Sequence, residues 1–292
     1  MRDYTVSGTP AFVETIKITE PTDPAHADNV NFGPKQIFEN TLYNKKQMDE
    51  HKADEYKYRN GMYLPSVKVA SSYTDELKED ISNGTFKKAF VGGYIEFANG
   101  HIYDFAHPDY WLHCGDTECE THHMVVVPRT NLVNGKMNNS NVTTGGYPGS
   151  DLKTGANGNT ALANIKSIIK ADFGAANIMT HREYYANAMT NGRPSSGAWY
   201  DSDIDLMNEH MVYGGKFFEV GNDGANIPVI YSTSKSQLKL FAERPDLICN
   251  RATWWLSTPV SASTFAYVRS DGLADLYYAS DSCGIRPAFA IC

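Results

Sequence analysis

The densest group of potential metal ligands in the sequence lies between His113 and His123. Thiolates, imidazoles and carboxylates are the groups that zinc and other transition metals prefer, and this run contains His113, Cys114, Asp116, Glu118, Cys119, Glu120, His122 and His123. However, Cys114 and Cys119 are too far apart for a zinc-finger pair, and no second Cys/His pair follows at finger spacing. We therefore interpret the run as a polar loop and assign no metal ligands to it.

A second acidic pattern is Asp201, Asp203 and Asp205, whose alternation is typical of a calcium-binding loop. Leu206 stands where such a loop needs glycine, and Val212 stands where it needs a bidentate glutamate. We predict instead a short helix over 202–211, with acidic side chains in its first turn where they meet the helix dipole favourably. A lectin-type calcium site built from acids distant in sequence stays open.

The residue patterns of common catalytic sites are missing from the sequence. It holds no Gly-x-Ser-x-Gly, no phosphate-binding glycine-rich loop and no His-Glu-x-x-His. The sequence contains an odd number of scattered cysteines, Cys114, Cys119, Cys249, Cys283 and Cys292. This pattern predicts free thiols in a protein that folds in a reducing compartment. We therefore predict a protein that is not an enzyme and needs no cofactor. The paired carboxylates of a glycan-cleaving enzyme stay open, because such pairs are distant in sequence.

Composition and charge exclude several classes of partner. The 292 residues are 41% hydrophobic and 21% charged, which is enough apolar material for a folded core. A net charge of -8 without a Lys/Arg block argues against nucleic acid. The sequence has no apolar run long enough to span a membrane and no signal-peptide core. We expect no membrane insertion, and synthesis in the cytosol.

The first elements predicted along the chain are two short helices. One begins after Pro34 and places Ile37, Phe38 and Leu42 on one face, a stripe that needs a partner. The other begins after Thr74, a candidate N-cap, and ends at 83–84, Asn-Gly. Beyond this point the sequence changes to short strand-like segments. We therefore predict an N-terminal segment over residues 1–85 and a domain over residues 86–292.

The predicted domain contains strands joined by recognisable turns. Asn99 and Gly100 separate two strand-like segments, which predicts a hairpin. Residues 124–128 read as a buried strand, and 160–171 has helical spacing of its apolar residues. From Cys249 onwards the sequence is again strand-like and rich in aromatic residues.

Four segments near the C-terminus carry a family resemblance. They are a Trp-Trp-Leu strand at 254–256, a Phe-x-x-Val strand at 265–268, a turn glycine at Gly272, and Gly-Ile-Arg-Pro-Ala-Phe at 284–289. This order resembles the C-terminal half of C-type-lectin-fold proteins, which include phage tropism determinants and formylglycine-generating-enzyme-like domains. The resemblance implies an α+β, C-type lectin-like fold with a small N-terminal attachment and oligomerisation segment. From the chemistry of its guanidinium group, we predict that Arg286, beside Pro287, makes structural hydrogen bonds to main chain or a carboxylate and does not contact a ligand.

Upstream segments resemble bacteriophage structural proteins. Residues 92–95, 137–138, 143–147 and 206–209 are similar to a recurring type of prophage structural protein, and 22–28 is similar to the attachment segment of tail and fibre proteins. The resemblance implies a virion surface protein of the phage tail or head. Its partners would be a host-cell surface protein or glycan and other virion proteins. Since phage fibres are commonly trimeric, a homotrimer is the expected assembly.

The fold resemblance also implies a binding surface between the scaffold strands. The residues expected on it are Ser257, Thr258, Ser261, Ser263, Tyr267, Arg269, Ser270, Asp271, Tyr277, Tyr278, Ser280, Asp281 and Ser282. Tyrosine offers rigid contact area and serine adaptable hydrogen bonding, as in antibody paratopes. Some phage receptors of this fold are diversified at this segment by a reverse-transcribing retroelement, and the cluster at 277–281 is compatible with that.

Three functions follow from these observations. The first is binding of a host receptor through the displayed surface. The second is a head-decoration or tail-assembly protein without catalytic activity, and the third is a surface-glycan depolymerase. An oxidase is disfavoured, because the resemblance to formylglycine-generating enzymes would require paired cysteines in the C-terminal core, and Cys283 has only Cys249 and Cys292 to pair with.

Overall fold

The computed structural model describes residues 35–49, 66–190, 193–215, 217 and 236–292. The chain divides into two compact units, Met1–Tyr63 and Leu64–Cys292. In the first unit, residues 35–49 form helix α1, as the sequence predicts. Ile37 and Phe38 on the predicted stripe are 56% and 46% exposed. The predicted attachment segment at 22–28 lies outside the described residues.

The larger unit is an α+β domain. Its strands are β1 (Val67–Ala70), β2 (Gly93–Glu96), β3 (Ile102–Pro108), β4 (Met124–Pro128), β5 (Val133–Gly135), β6 (Ile178–Met179), β7 (His181–Thr190), β8 (Arg193–Ser202), β9 (Ile204–Leu206), β10 (Trp254–Pro259), β11 (Thr264–Val268), β12 (Ala274–Tyr278), β13 (Cys283–Ile285) and β14 (Pro287–Ile291). Its helices are α2 (Asp75–Ser82), α3 (Asp151–Thr154), α4 (Ala161–Phe173), α5 (Glu209–Tyr213) and α6 (Lys239–Glu243). None of the helices described is long and apolar enough to cross a lipid bilayer.

The strands form two main sheets and a separate hairpin. The larger sheet has the order β1-β2-β3-β4-β14-β6, with β9 also paired to β14. The smaller sheet has the order β12-β11-β10-β13-β5, and β7 and β8 form a two-stranded sheet. Strand β14 is antiparallel to β4, with Phe289 opposite Val126. The last strand of the domain therefore lies inside the larger sheet.

The central strands β10 and β14 are buried on both faces in apolar clusters. Along β14, Phe289 and Ile291 belong to one cluster, while Ala288 and Ala290 belong to the other. This alternation follows from the two-residue period of a β-strand. Along β10, Trp255 and Trp254 divide in the same way.

The first cluster is covered by helix α4. Its residues Leu162, Ile165 and Ile169 are buried against the sheets. At its last residue, the ring of Phe173 lies 5.0 Å from Tyr103 and 5.2 Å from Phe289, centroid to centroid, in edge-on contacts. Such aromatic pairs add about 1 kcal/mol each beyond the burial of area.

The structure confirms four local predictions: a helix cap, a hairpin turn, a strand and a helix. Thr74 caps α2 by accepting a hydrogen bond from the Leu77 N–H at 3.3 Å. Gly100 takes a φ of +85° in the turn between β2 and β3. The predicted strand at 124–128 and helix at 160–171 are β4 and α4.

The predicted helix over 202–211 is wrong for most of its length. Ser202 ends strand β8, residues Ile204–Leu206 form strand β9, and only Glu209–Tyr213 is helical. Long-range pairing explains the difference, since β9 pairs with β14 across the core. Elements before residue 85 also belong to the larger unit, because Leu77 and Ile81 of α2 are buried in the first cluster.

Gly146 lies in close contact with the backbone of strand β7 at Ala186. It has a φ of +61°, and a Cβ there would lie 2.0 Å from the Ala186 carbonyl oxygen. We expect Gly146→Ala to lower the free energy of unfolding by about 3 kcal/mol, from left-handed strain plus a backbone clash. Urea unfolding followed by circular dichroism measures the change.

Gly158→Ala is the matched control, because Gly158 has a φ of +75° and open space around its Cα. It should cost about 1 kcal/mol from strain alone. Equal destabilisation by the two variants would contradict the close approach at Gly146.

Candidate functional site

The predicted binding surface is centred on β11 and β12. Strand β12 is an edge strand of the smaller sheet, and its residues Leu276, Tyr277 and Tyr278 are 42%, 39% and 54% exposed. Tyr277 is paired with Phe265 and Tyr278 with Thr264, so the two tyrosines project from opposite faces of the sheet. We name Tyr267, Arg269, Leu276, Tyr277 and Tyr278 the tyrosine surface.

The buried ring of Trp255 supports Tyr267 and Tyr277, which lie on one face of the sheet. The ring centroids of Tyr267 and Tyr277 are 5.1 Å apart, and both lie just over 6 Å from the buried ring of Trp255. The Trp255 indole N–H donates to the Gly135 carbonyl at 2.9 Å, which fixes the ring. Tyr267 and Tyr277 therefore pack on a rigid base.

An ion pair closes the turn beside these tyrosines. Arg269 Nη2 is 2.9 Å from Asp271 Oδ2, and Arg269 Nη1 is 3.9 Å from Asp275 Oδ2. Gly272 takes a φ of +87° in the same turn. Because all three charged side chains are nearly half exposed, the pairs contribute little to stability and leave the charges accessible to a ligand.

The structure corrects two of the predicted surface residues. Ser257 and Thr258 are only 4% and 6% exposed, because β10 continues past Leu256 and stays inside the sheet. The Ser257 hydroxyl donates to the Met207 carbonyl at 3.3 Å. These two residues cannot be displayed to a large ligand.

The other predicted residues are accessible to different degrees. Ser270, Asp271 and Ser282 are exposed; Ser261, Ser263, Ser280 and Asp281 are half-buried. The Ser280 hydroxyl donates to Asn141 Oδ1 at 2.7 Å.

A buried polar cluster that the sequence did not reveal lies near the base of the β7–β8 hairpin. At its centre, both carboxylate oxygens of Asp205 are 2.6 Å from Lys153 Nζ. The Tyr147 hydroxyl donates to Asp205 at 2.9 Å, and the Ser202 hydroxyl at 2.6 Å. Burial, with Asp205 beside it, raises the pKa of Tyr147 well above its usual value. The carboxylate thus accepts hydrogen bonds from one ammonium group and two hydroxyls.

Trp111 connects this cluster to two histidines. Its indole N–H donates to Glu183 Oε2 at 2.8 Å, and its ring stacks on His181 with centroids 3.7 Å apart. The Trp111 backbone N–H donates to His123 Nε2 at 3.0 Å, and His123 Nδ1 is 2.8 Å from the Thr121 carbonyl. His123 is therefore neutral with its proton on Nδ1. Burial lowers the pKa of His123 to about 4.

One signal in the sequence could have indicated this cluster. His181, Glu183 and Tyr185 alternate along β7, which places three polar side chains on one face of a strand. All three are buried. A polar face on a strand next to buried aromatics is a sign of an internal hydrogen-bond network.

The run from His113 to His123 is a set of separate polar contacts. His113 Nδ1 is 2.7 Å from Glu118, His122 Nδ1 is 2.8 Å from Asp109, and Cys119 Sγ is 3.8 Å from Met179 Sδ. Among the residues that the structure describes, no three His, Cys, Asp or Glu side chains are grouped to hold a metal ion.

The alternating aspartates also have separate partners. Asp201 pairs with Arg182, Asp203 with Lys166 and Lys170, and Asp205 with Lys153. Burial opposes ionisation of Asp203, but the two lysines outweigh it and lower its pKa. Three carboxylates that share none of their four cations are the arrangement of structural ion pairs.

The cysteines and Arg286 have structural environments. All five cysteines are free thiols, and burial raises the pKa of Cys283 to about 11. Arg286 is fully buried and donates to the carbonyls of Pro128 at 2.7 Å and Leu247 at 2.8 Å, which confirms the predicted main-chain bonds. Burial lowers its pKa to about 10.

Comparison with known families assigns most of this domain. A family model described as a domain of unknown function (DUF6273) matches residues 122–292. The chain belongs to the DUF6273 family. No curated protein and no solved structure matches it. The DUF6273 region includes the tyrosine surface and most of the polar cluster, but β1–β3 of the larger sheet precede it.

The Lys153–Asp205 pair should contribute strongly to the stability of the DUF6273 domain. Lys153→Met leaves a carboxylate that is 4% exposed without its cation. We expect this to lower the free energy of unfolding by about 3 kcal/mol, measured by urea unfolding.

The exposed pair of Lys68 and Glu96, whose side chains are 42% and 41% exposed, provides the control. Lys68→Met should cost at most about 1 kcal/mol. A Lys153→Met variant as stable as Lys68→Met would show that Asp205 needs no cation.

Buried His123 should make the domain less stable in mild acid. Its folded-state pKa of about 4 lies below the roughly 6.5 of an unfolded histidine, so the unfolded chain binds the proton first. The stability that His123 contributes is complete above pH ~6.5 and is lost as the pH falls towards 4, by up to about 1.4 kcal/mol per pH unit.

Urea unfolding between pH 7 and 4 measures this slope, and His123→Gln should reduce it. NMR of the imidazole in the wild type checks the cause directly. An imidazole that is already protonated at pH 6 would contradict the assignment.

Proposed function

We propose that this protein is a bacteriophage virion surface protein that binds a host-cell surface ligand through the tyrosine surface of a C-type-lectin-like domain. The observation that carries the proposal is the concentration of exposed apolar side chains on β12 and the turn before it. In the described part of Leu64–Cys292, four of the seven large exposed hydrophobic side chains lie at 273–278: Leu273, Leu276, Tyr277 and Tyr278. Grouped exposed apolar residues indicate an interaction site.

The arrangement of the C-terminal strands supports the lectin-like part of the proposal. The Trp-Trp-Leu segment opens β10, the Phe-x-x-Val segment forms most of β11, Gly272 lies in the next turn, and the Arg-Pro segment joins β13 to β14. These are the elements that the resemblance requires, in the same chain order. In such a fold the Trp-Leu and Arg-Pro strands are the scaffold, and the residues between them, which here include β12, meet the ligand.

The chemistry of the tyrosine surface suits a polar macromolecular ligand. Tyrosine combines a large contact area with one hydroxyl and loses little side-chain entropy on binding. Arg269, Asp271 and Asp275 add donors and acceptors beside the rings. A host-cell protein or glycan presents complementary groups.

Oligomerisation would strengthen weak binding at this surface. Helix α1 carries Ile37 and Phe38, both more than 40% exposed, and association of α1 in a homotrimer would bury such a stripe. Three linked sites on a repetitive cell surface gain avidity without new contacts.

Replacing the two exposed tyrosines tests this function. We expect Tyr277→Ala/Tyr278→Ala to weaken adhesion of the purified protein to bacterial cells at least about tenfold, because aromatic anchors dominate interface energies. A panel of bacterial strains, measured by flow cytometry with labelled protein, identifies those that bind the wild type.

Val67→Ala is the matched control, because Val67 is a 38% exposed apolar residue on β1, the edge strand of the other sheet. It should bind like the wild type. If no strain binds the wild type, or if the double variant binds equally well, receptor binding at this surface is refuted. Loss of particle stability on deletion of the gene, with adhesion unchanged, would indicate a decoration protein instead.

A further inference from the structure

Strand β12 offers backbone hydrogen-bonding groups to a ligand as well as side chains. It is the last strand of the smaller sheet, and no other strand in the described part of the chain pairs with its outer edge. Every second residue of an antiparallel strand directs both its N–H and its C=O at the neighbouring strand, and the residues between them point the other way. The pairing with β11 therefore decides which groups of β12 remain available.

Hydrogen bonds at the two ends of the β11–β12 pair fix this pattern. At one end the Arg269 N–H donates to the Leu273 carbonyl at 2.8 Å, and at the other the Ala279 N–H donates to the Ser263 carbonyl at 2.9 Å. The register between these ends is unbroken. The odd-numbered residues of β12 therefore bond to β11, and the even-numbered residues point outward.

We name the outward backbone groups of Ala274, Leu276 and Tyr278 the β12 edge. The side chain of Asp275 covers one of these groups, because the Leu276 N–H donates to its Oδ1 at 2.8 Å. The Tyr278 carbonyl accepts from the Asp281 N–H at 2.9 Å. The N–H groups of Ala274 and Tyr278 and the carbonyls of Ala274 and Leu276 have no hydrogen-bond partner among the described residues. Open groups thus recur at every second residue, about 7 Å apart.

The side chains beside the β12 edge are exposed and apolar. Leu273, Leu276 and Tyr278 are 59%, 42% and 54% exposed. An open edge of this kind is a template for another strand, and folded proteins usually protect it with charges, proline or a bulge. Strand β12 contains neither proline nor a bulge. Its backbone is therefore available to a partner in extended conformation.

The charges near the β12 edge favour a basic partner. Residues 269–281 contain three acids, Asp271, Asp275 and Asp281, and one base, Arg269. Arg269 is already paired, with its Nη2 2.9 Å from Asp271. Like charges on neighbouring strands are unfavourable, which argues against a second copy of this acidic edge. A strand that carries lysine or arginine would meet acids of opposite charge.

Building on the receptor-binding function proposed above, we propose that the β12 edge binds an extended, basic peptide segment of a host-cell surface protein. The segment joins the five-stranded smaller sheet as a sixth strand. Its backbone pairs with the open groups of Ala274, Leu276 and Tyr278, and its basic side chains meet the acids nearby. In such strand addition the main-chain hydrogen bonds give affinity and the side chains give specificity. A glycan has no backbone donors and acceptors that repeat at this spacing.

Amide hydrogen exchange tests strand addition without any cell. The probes are the peptide acetyl-Thr-Lys-Val-Lys-Val-Lys-Thr-amide, the same peptide with glutamate in place of lysine, and spermine, a cation without a peptide backbone. Each is added to the full chain, and NMR follows the amide protons of β12. We expect the basic peptide alone to slow exchange at Ala274 and Tyr278 at least about tenfold, because their N–H groups gain partners. Asp275 and Tyr277, which already bond to β11, should exchange as before.

A proline on the edge tests the same contact in the cell-binding assay. Ala274→Pro removes an outward N–H and no bond to β11, an orientation in which edge strands tolerate proline. It should weaken both peptide binding and adhesion to cells about tenfold. Ala274→Val is the matched control, since it adds similar bulk but keeps the N–H, and it should bind like the wild type. Circular dichroism checks that both variants are folded.

Treatment of the cells separates a protein ligand from a glycan. On strains that bind the wild type, proteinase K should abolish adhesion, and periodate oxidation of surface sugars should leave it unchanged. Adhesion lost to periodate but not to proteinase K would overturn the inference while the proposed function stands. If no strain binds the wild type, the proposed function fails and the host protein with it, whereas slowed exchange at Ala274 and Tyr278 would still support addition of a basic strand.

The exchange measurement has clear contrary outcomes. Equal slowing by the acidic peptide or by spermine would overturn the proposal, as would unchanged exchange with all three probes. A dimer of the wild type that Ala274→Pro abolishes, without any peptide binding, would show that the edge pairs with a second copy instead.

Discussion

The guanidinium of Arg286 lies where the chain passes from one main sheet to the other. Residues before it form β13 in the smaller sheet, and residues after it form β14 in the larger one. Its N–H groups bind the Pro128 carbonyl, at the end of β4, and the Leu247 carbonyl. The rings of Trp254 and Phe241 lie about 5 Å from its central carbon. A charge buried this completely is tolerated only because main-chain oxygens and aromatic faces replace water.

The tyrosine surface and the buried polar cluster depend on this junction in different ways. The tyrosine surface stands on Trp255, which belongs to β10, the neighbour of β13. The polar cluster reaches β14 through Asp205, whose strand β9 pairs with it. A change in the crossing angle at Arg286 would therefore shift both regions. The positions of binding groups are set by packed elements and not by the loops alone.

The sequence predicted the parts of the fold that local interactions determine. The Thr74 cap, the Asn99-Gly100 turn, helix α4 and the apolar strand β4 each have a signal within a few residues. Strand β9 was mistaken for a helix because its conformation follows from pairing with β14, which no local pattern reveals. Long-range contacts override weak helical propensity in this way.

In the candidate sites, too, the sequence predicted what local patterns determine and missed what long-range contacts determine. Tyr277 and Tyr278 were predicted on the surface, where they lie, but Ser257 and Thr258 were not recognised as buried. Small hydroxyl residues fit either environment, and only the length of β10 decides between them. The contacts of Trp111 with His181 and Glu183 join residues far apart along the chain. Such a cluster requires the completed fold.

The central position of β14 also affects how the domain reaches its folded state. Strands β4 and β14 are neighbours in the larger sheet but lie far apart in the sequence, and such pairing carries a large loop-closure cost and slows folding. Before β14 pairs with it, strand β4, whose five residues Met-Val-Val-Val-Pro are buried in the folded domain, has one unpaired edge. An apolar β-branched segment with an open edge is prone to pair with another chain. Folding yield should therefore fall as the protein concentration rises and as the time during which β4 is unpaired increases.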